Sequence, residues 1–149
     1  TSVSIFLQEE EQFGLKNYKT YIDFSKRVRL ARDTVRKNIN QLVQKKLVIA
    51  GYGSPAKATT ALNYYGITRK EINYIVEDNS IKHNKFLPGV RIPIFSRDAL
   101  NKNSPDIVIV LAWNFYDEII ENNQDLIKKG VRFITIKNLE NPDFSLPQP

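Results

Sequence analysis

Residues with the means to do chemistry gather at three places in the chain. The first is Gly51-Tyr52-Gly53-Ser54-Pro55-Ala56-Lys57. Its spacing, G-x-G-x-x-A, is that of a turn that carries a strand into a helix and holds a phosphate at the helix start. Gly51 permits a tight turn, Gly53 lets a ligand approach the backbone, and Ala56 lets helix and strand pack closely. Ser54 suits the capping position and Pro55 the first helical one. Exposed amides there favour an anion. Lys57 places a cation in the first helical turn, against the helix dipole. Either a bound anion offsets this, or Lys57 points into solvent.

The second place is Glu77 and Asp78, followed by Lys82, His83 and Lys85. An acid at the end of the second strand is where a dinucleotide fold grips a ribose, and cations beyond it can meet phosphate or a sugar carboxylate. The alternative is a charged surface loop. The third is Ala112-Trp113-Asn114. Asn114 can cap a helix, with Asp117 in its first turn. Trp113 can stack on a base or sugar, or simply pack.

These groups need a scaffold, and the hydrophobic pattern supplies one. The spacing predicts a first helix capped by Ser2 or Ser4 and broken at Gly14. A long helix follows from about Tyr18 to about Lys45, with Phe24, Val28, Ala31, Val35, Ile39 and Leu42 on one face. Lys26, Arg29, Arg32 and Arg36 follow a neighbouring face; Asp33 interrupts them, which reads as a solvated face rather than a nucleic-acid stripe. From Leu47 short Val- and Ile-rich runs alternate with helical stretches. Strands are expected at Val48–Tyr52, Ile72–Glu77, Arg91–Phe95, Ile107–Ala112 and Arg132–Lys137. Helices are expected at Pro55–Tyr65, closed by Gly66, and Phe115–Lys129, closed by Gly130. Pro88-Gly89 marks a turn. The alternation implies an α/β, three-layer Rossmann-like domain with a mostly parallel sheet of about five strands, preceded by N-terminal helices. The organisation read from it is a helical lead-in over 1–46, a Rossmann-like unit over 47–140 and an irregular tail over 141–149, as a single domain. In such a sheet the loops after strands one and four border one crevice, which brings Trp113 and Asn114 toward the glycine turn.

Composition narrows the chemistry. The chain has 149 residues, 42% of them hydrophobic, which is enough for a core without staples. It has no cysteine and one histidine, His83, so zinc-thiolate sites, cysteine nucleophiles and poly-histidine metal sites are excluded. The net charge of +6 is spread along the sequence, and phosphate-bearing small molecules are the expected partners ahead of nucleic acid. No apolar stretch approaches the roughly 18 residues of a membrane span, and no signal peptide is visible, so a cytoplasmic protein without a membrane partner is expected. Thr1 in place of Met, and the proline-bearing end, suggest a piece of a longer polypeptide.

The runs GYGSPAKATTALNYYGI, IVEDNSIKHNKFLPGVRIPI and IVLAWNFYDEII, in that order and spacing, resemble the C-terminal domain of the S-adenosylmethionine-dependent C-methyltransferases that act on nucleotide-linked deoxysugars. The lead-in, with Glu9 to Glu11 and Gly14-Leu15, is similar too. The resemblance implies that zinc and S-adenosylmethionine bind in upstream domains of the same polypeptide, with no cofactor in this domain, which helps to form the nucleotide-sugar site. It carries Gly51, Gly53, Ala56, Lys57, Asp78, Lys82, Lys85, Pro88, Gly89, Trp113 and Asn114 into that site. Tyr52 and Ser54 join them by position. His83 stands where the family commonly has glutamine. C-methylation needs a base and a stabilised oxyanion next to a keto group. His83 and Tyr52 are the titratable residues to inspect, and the catalytic groups are expected upstream. The rival readings are an NAD(P)-dependent reductase domain, a nucleotide- or coenzyme A-binding module, and a nucleic-acid binder.

Overall fold

A computed structural model describes residues 2–146. Its strands are β1 (Ile49–Tyr52), β2 (Tyr74–Val76), β3 (Lys85–Phe86), β4 (Pro93–Phe95), β5 (Ile107–Val110) and β6 (Arg132–Thr135). Its helices are α1 (Ser2–Phe13), α2 (Tyr18–Gln44), α3 (Ala56–Tyr65), α4 (Asp98–Lys102), α5 (Tyr116–Glu121), α6 (Gln124–Ile127) and α7 (Ile136–Leu139). The strands form one sheet in the order β3-β4-β2-β1-β5-β6. All neighbours are parallel except β3 and β4. Without the edge strand this is the doubly wound order 3-2-1-4-5, and its switch point lies between β1 and β5.

Strand alternation sorts the core into two layers. Ile49, Ile75, Ile107, Ile109 and Ile134 face one side, where they meet Val35, Ile39 and Leu42 of α2, Ala58 and Leu62 of α3, and Leu139 of α7. Ala50, Tyr52, Val76, Val108, Val110 and Phe133 face the other, against Leu100 of α4, Ile119 of α5 and Leu126 of α6. Side chains pointing to both faces meet helices, so the inner strands β1, β2 and β5 are buried throughout and read as near-continuous apolar runs.

The structure departs from the sequence expectation at five points. The sheet has six strands, not about five, because the polar stretch after Asn79 folds back through β3. The stretch read as strand to Lys137 turns helical at Ile136, where Thr135 and Asn138 form a reciprocal capping box. The helix expected over Phe115–Lys129 is two short helices behind a 3₁₀ turn (Trp113–Phe115). It breaks at Asn122 and Asn123, where the buried Asn123 amide donates to Ile119 O and its oxygen accepts from Arg97 Nε. Residues 141–146 form no helix or strand, and residues 147–149 lie outside the described residues. Phe144 and Leu146 nonetheless pack on the core, and Asn38 of α2 donates to the carbonyls of Leu139 and Asn141. Finally, Ser2 and Ser4 both lie inside α1 rather than before it.

The apolar stripe of α2 is buried only from Thr34 onward. Phe24, with Tyr18, Tyr21 and Leu30, is exposed. No residue of α1 is buried; Val3, Phe6 and Phe13 are each more than half exposed. The basic face of α2 is tied locally: Lys26 to Asp23, Arg29 to Ser25, Arg32 to Asp33, and Arg36 to Gly66 O and Glu71.

Pro88-Gly89 locks the edge of the sheet to α3. Asn63 Nδ2 donates to Pro88 O at 3.0 Å, and a Cβ on Gly89 would stand 2.0 Å from Asn63 Oδ1 with φ at +77°. Gly89→Ala should therefore lower unfolding free energy by about 2 kcal/mol or more, from left-handed strain and overpacking. Urea denaturation measures this, and an unchanged midpoint would refute it.

Candidate functional site

The C-terminal ends of β1, β2 and β5 enclose a crevice of about 330 Å³. Tyr52, Ser54, Glu77, Asp78 and Lys82 supply its polar wall, and Phe115, Ile119 and Asn122 the facing one. This is the switch-point position at which doubly wound sheets bind ligands.

The glycine turn is built differently from the spacing argument. Gly51 is not in the turn but inside β1, where a Cβ would stand 2.9 Å from Ile75 Cγ1 and 3.0 Å from Leu111 Cδ1. Gly53 makes the turn, with φ at +85°, and the group that approaches it is Ala112, whose Cβ would stand 2.6 Å from an added Cβ. The first and fourth loops therefore touch, as the topology requires. Ala56 is exposed at the helix start, and the residue that allows close helix–sheet packing is the buried Ala58. Pro55, not Ser54, holds the capping position of α3, and no side chain caps the helix there.

Ser54 is diverted because Glu77 takes both of its donors. Ser54 N–H and Oγ–H donate to Glu77 Oε2 at 2.9 and 2.6 Å. Lys82 Nζ reaches the same oxygen at 3.0 Å and also donates to Ser54 O. Asn79 N–H donates to Glu77 Oε1 at 3.1 Å. Burial alone would raise the Glu77 pKa, but the hydrogen bonds from Ser54, Asn79 and Lys82 outweigh it and hold it at about 2. Glu77 stands at the second constellation but was not among the residues expected to bind substrate. Its position at the end of β2 was legible; that it would turn inward onto Ser54 depends on the loop path, which spacing does not encode.

Beside it, Tyr52 Oη donates to the exposed carboxylate of Asp78 at 3.1 Å. Burial is the main cause that raises the Tyr52 pKa; Asn123 opposes this and Asp78 adds to it. The hydroxyl is thereby kept as a donor, not a base. His83 Nε2 lies 2.6 Å from Glu77 O, which places N–H on that nitrogen and leaves it a scaffold contact. Behind Tyr52, Arg97 donates to Asn123 Oδ1 and Asn122 O and pairs with Asp125, fixing the facing wall.

The expected corner forms only in part: Lys82 reaches the turn and no side chain caps α3, but the other expected groups do not converge there. Lys57 Nζ lies over the Trp113 ring, 4.1 Å from its centroid. The ring face stabilises the ammonium at this position. Trp113 packs against the core as well. Lys82 is committed to Glu77. Lys85 sits exposed on the edge strand, and Asn114 is exposed on the 3₁₀ turn, where no side chain caps the following helix; neither lines the crevice. Tyr52, Gly53, Ser54, Asp78 and Lys82 are brought together; Lys57 and Trp113 form a separate pair beside them. Among the described residues lining the crevice, the acids Glu77, Asp78 and Glu118 face Lys82 as the one cation. Among the described residues, no group of three or more His, Cys, Asp or Glu could hold a metal, and no helix is long and apolar enough to cross a membrane.

Residues 1–136 match the family model described as the C-methyltransferase C-terminal domain. The chain is 35% identical over 133 residues to the C-methyltransferase NovU of Streptomyces niveus, across 89% of this chain and 32% of that protein. The chain thus spans about a third of the length of that curated relative.

The carboxylate network makes a test by pH. Because the Glu77 pKa is lowered on folding, its contribution is fully present above its ordinary value of 4.5 and is lost as pH falls toward about 2. Wild type should lose about 1–2 kcal/mol through that window relative to Glu77→Gln, allowing for solvent screening. Parallel pH profiles in denaturant titrations would contradict the network.

Proposed function

The chain belongs to the C-methyltransferase C-terminal domain family, and on that premise we propose that it serves a complete S-adenosylmethionine-dependent enzyme as the domain that holds a nucleotide-linked sugar. The observation that carries this reading is the crevice at the switch point, where the exposed Asp78 carboxylate, held by the Tyr52 hydroxyl, offers an acceptor to sugar or ribose hydroxyls. A carboxylate is a strong acceptor for such hydroxyls and orients them without reacting.

In this reading S-adenosylmethionine supplies the methyl group from another domain, and zinc belongs there too. This domain orients the acceptor sugar so that its nucleophilic carbon is presented to that domain. Neither Tyr52 nor His83 is assigned as the base, since one is held as a donor and the other is engaged with Glu77 O. The reading as an NAD(P)-binding module loses its phosphate anchor, because the Ser54 amide is already bonded to Glu77.

The exposed arm completes the proposal. The apolar residues of α1 and the first half of α2, among them Phe6, Phe13, Tyr18 and Phe24, are a surface of the kind that the remaining domains of the enzyme cover. A cytoplasmic setting follows from the reading.

In the complete enzyme, Asp78→Asn should raise KM for the nucleotide sugar roughly tenfold while the affinity for S-adenosylmethionine stays unchanged. Steady-state methyl transfer and calorimetry measure the two. A lost affinity for S-adenosylmethionine with an unchanged sugar KM would reverse the assignment of roles.

A further inference from the structure

A glycine turn that opens a helix ordinarily presents its amides to a phosphate. Here the donors just ahead of the helix are already taken, while the first turn of α3 itself carries no side-chain cap. Glu77 Oε2 collects the Ser54 amide at 2.9 Å, the Ser54 hydroxyl at 2.6 Å and the Lys82 ammonium at 3.0 Å. The second oxygen takes the Asn79 amide at 3.1 Å. These are the donors a phosphate would use: backbone N–H, hydroxyl and lysine. Pro55 removes a further amide from the turn, since it has no N–H to give. Lys57, the remaining cation of the turn, is directed onto the Trp113 ring.

The surroundings add repulsion. A phosphate entering the crevice would meet Glu77, Asp78 and Glu118, with Lys82 already neutralised by its ion pair. Like charges lining the crevice disfavour an entering phosphate.

We propose that Glu77 is a specificity-determining residue: a built-in counter-anion that occupies the phosphate position of the Gly53–Lys57 turn, closes it to phosphate groups, and admits only an uncharged portion of a ligand to the crevice. For a nucleotide-linked sugar, which rests on the reading above, the diphosphate then lies outside the turn and a hydroxyl-bearing ring inside it. The exclusion of phosphate does not depend on that reading, and its test uses no sugar nucleotide.

The experiment is a titration of the isotope-labelled chain with inorganic pyrophosphate, followed through the amide resonances of Gly53, Ser54, Ala56 and Lys57. Wild type should show no saturable shift at these amides at millimolar concentrations. Glu77→Ala removes the internal anion and should bind pyrophosphate at the turn at least tenfold more tightly than wild type. Glu77→Gln keeps an acceptor for Ser54, preserves the packing and removes the charge, and should gain a smaller but measurable affinity. It carries the test if the alanine variant does not fold. Saturable binding by wild type at the turn, or variants as blind to pyrophosphate as wild type, would overturn the proposal. A failed KM test on the complete enzyme would leave this result standing, and the reverse also holds.

Discussion

The end of β1 depends on the carboxylate of Glu77. It gathers a backbone amide, a hydroxyl and an ammonium at one oxygen, and so joins the turn after β1 to the loop after β2. Ser54 cannot cap α3 while it serves Glu77, and Lys82, which lines the crevice, has its ammonium paired with Glu77 there. His83, through its contact with Glu77 O, follows the loop into place. The turn just ahead of the helix start is thereby given an internal anion, and the crevice next to it is lined mainly by acids.

A second constraint is the approach of the first and fourth loops. Gly53 and Ala112 pass so closely that no side chain fits on Gly53. This contact sets the depth of the crevice, and it brings Trp113 beside Lys57. The cation–π pair then answers the charge in the first turn of α3. Two features that spacing associates with a ligand, the second glycine and the lysine, are accounted for by contacts within the chain.

The strands were legible because apolar runs buried on both faces carry a strong signal, and the turn after β1 because glycine spacing does. The doubly wound order then followed from alternation, and with it the adjacency of Gly53 to the loop carrying Trp113. Partner choice was not legible. Glu77 or a phosphate could equally have met the Ser54 amide; the path of residues 79–86 decides it, and that path contains a two-residue strand too short for periodicity to register. The break at Asn123 was hidden for a similar reason: a buried amide satisfied by Arg97, 26 residues earlier in the sequence, leaves no local pattern. At Ile136 the signal was present, since Thr135 and Asn138 form a capping box, but the apolar run was read through it.

In the proposed role, the domain holds the uncharged, hydroxyl-bearing part of a nucleotide sugar against Tyr52 and Asp78 while its diphosphate stays off the glycine turn. A crystal structure of the complete enzyme with nucleotide sugar bound tests this most directly. The account predicts ring hydroxyls within hydrogen-bond distance of Asp78, with the Glu77–Ser54 bonds intact. A diphosphate oxygen on the Ser54 amide, with Glu77 displaced, would contradict it.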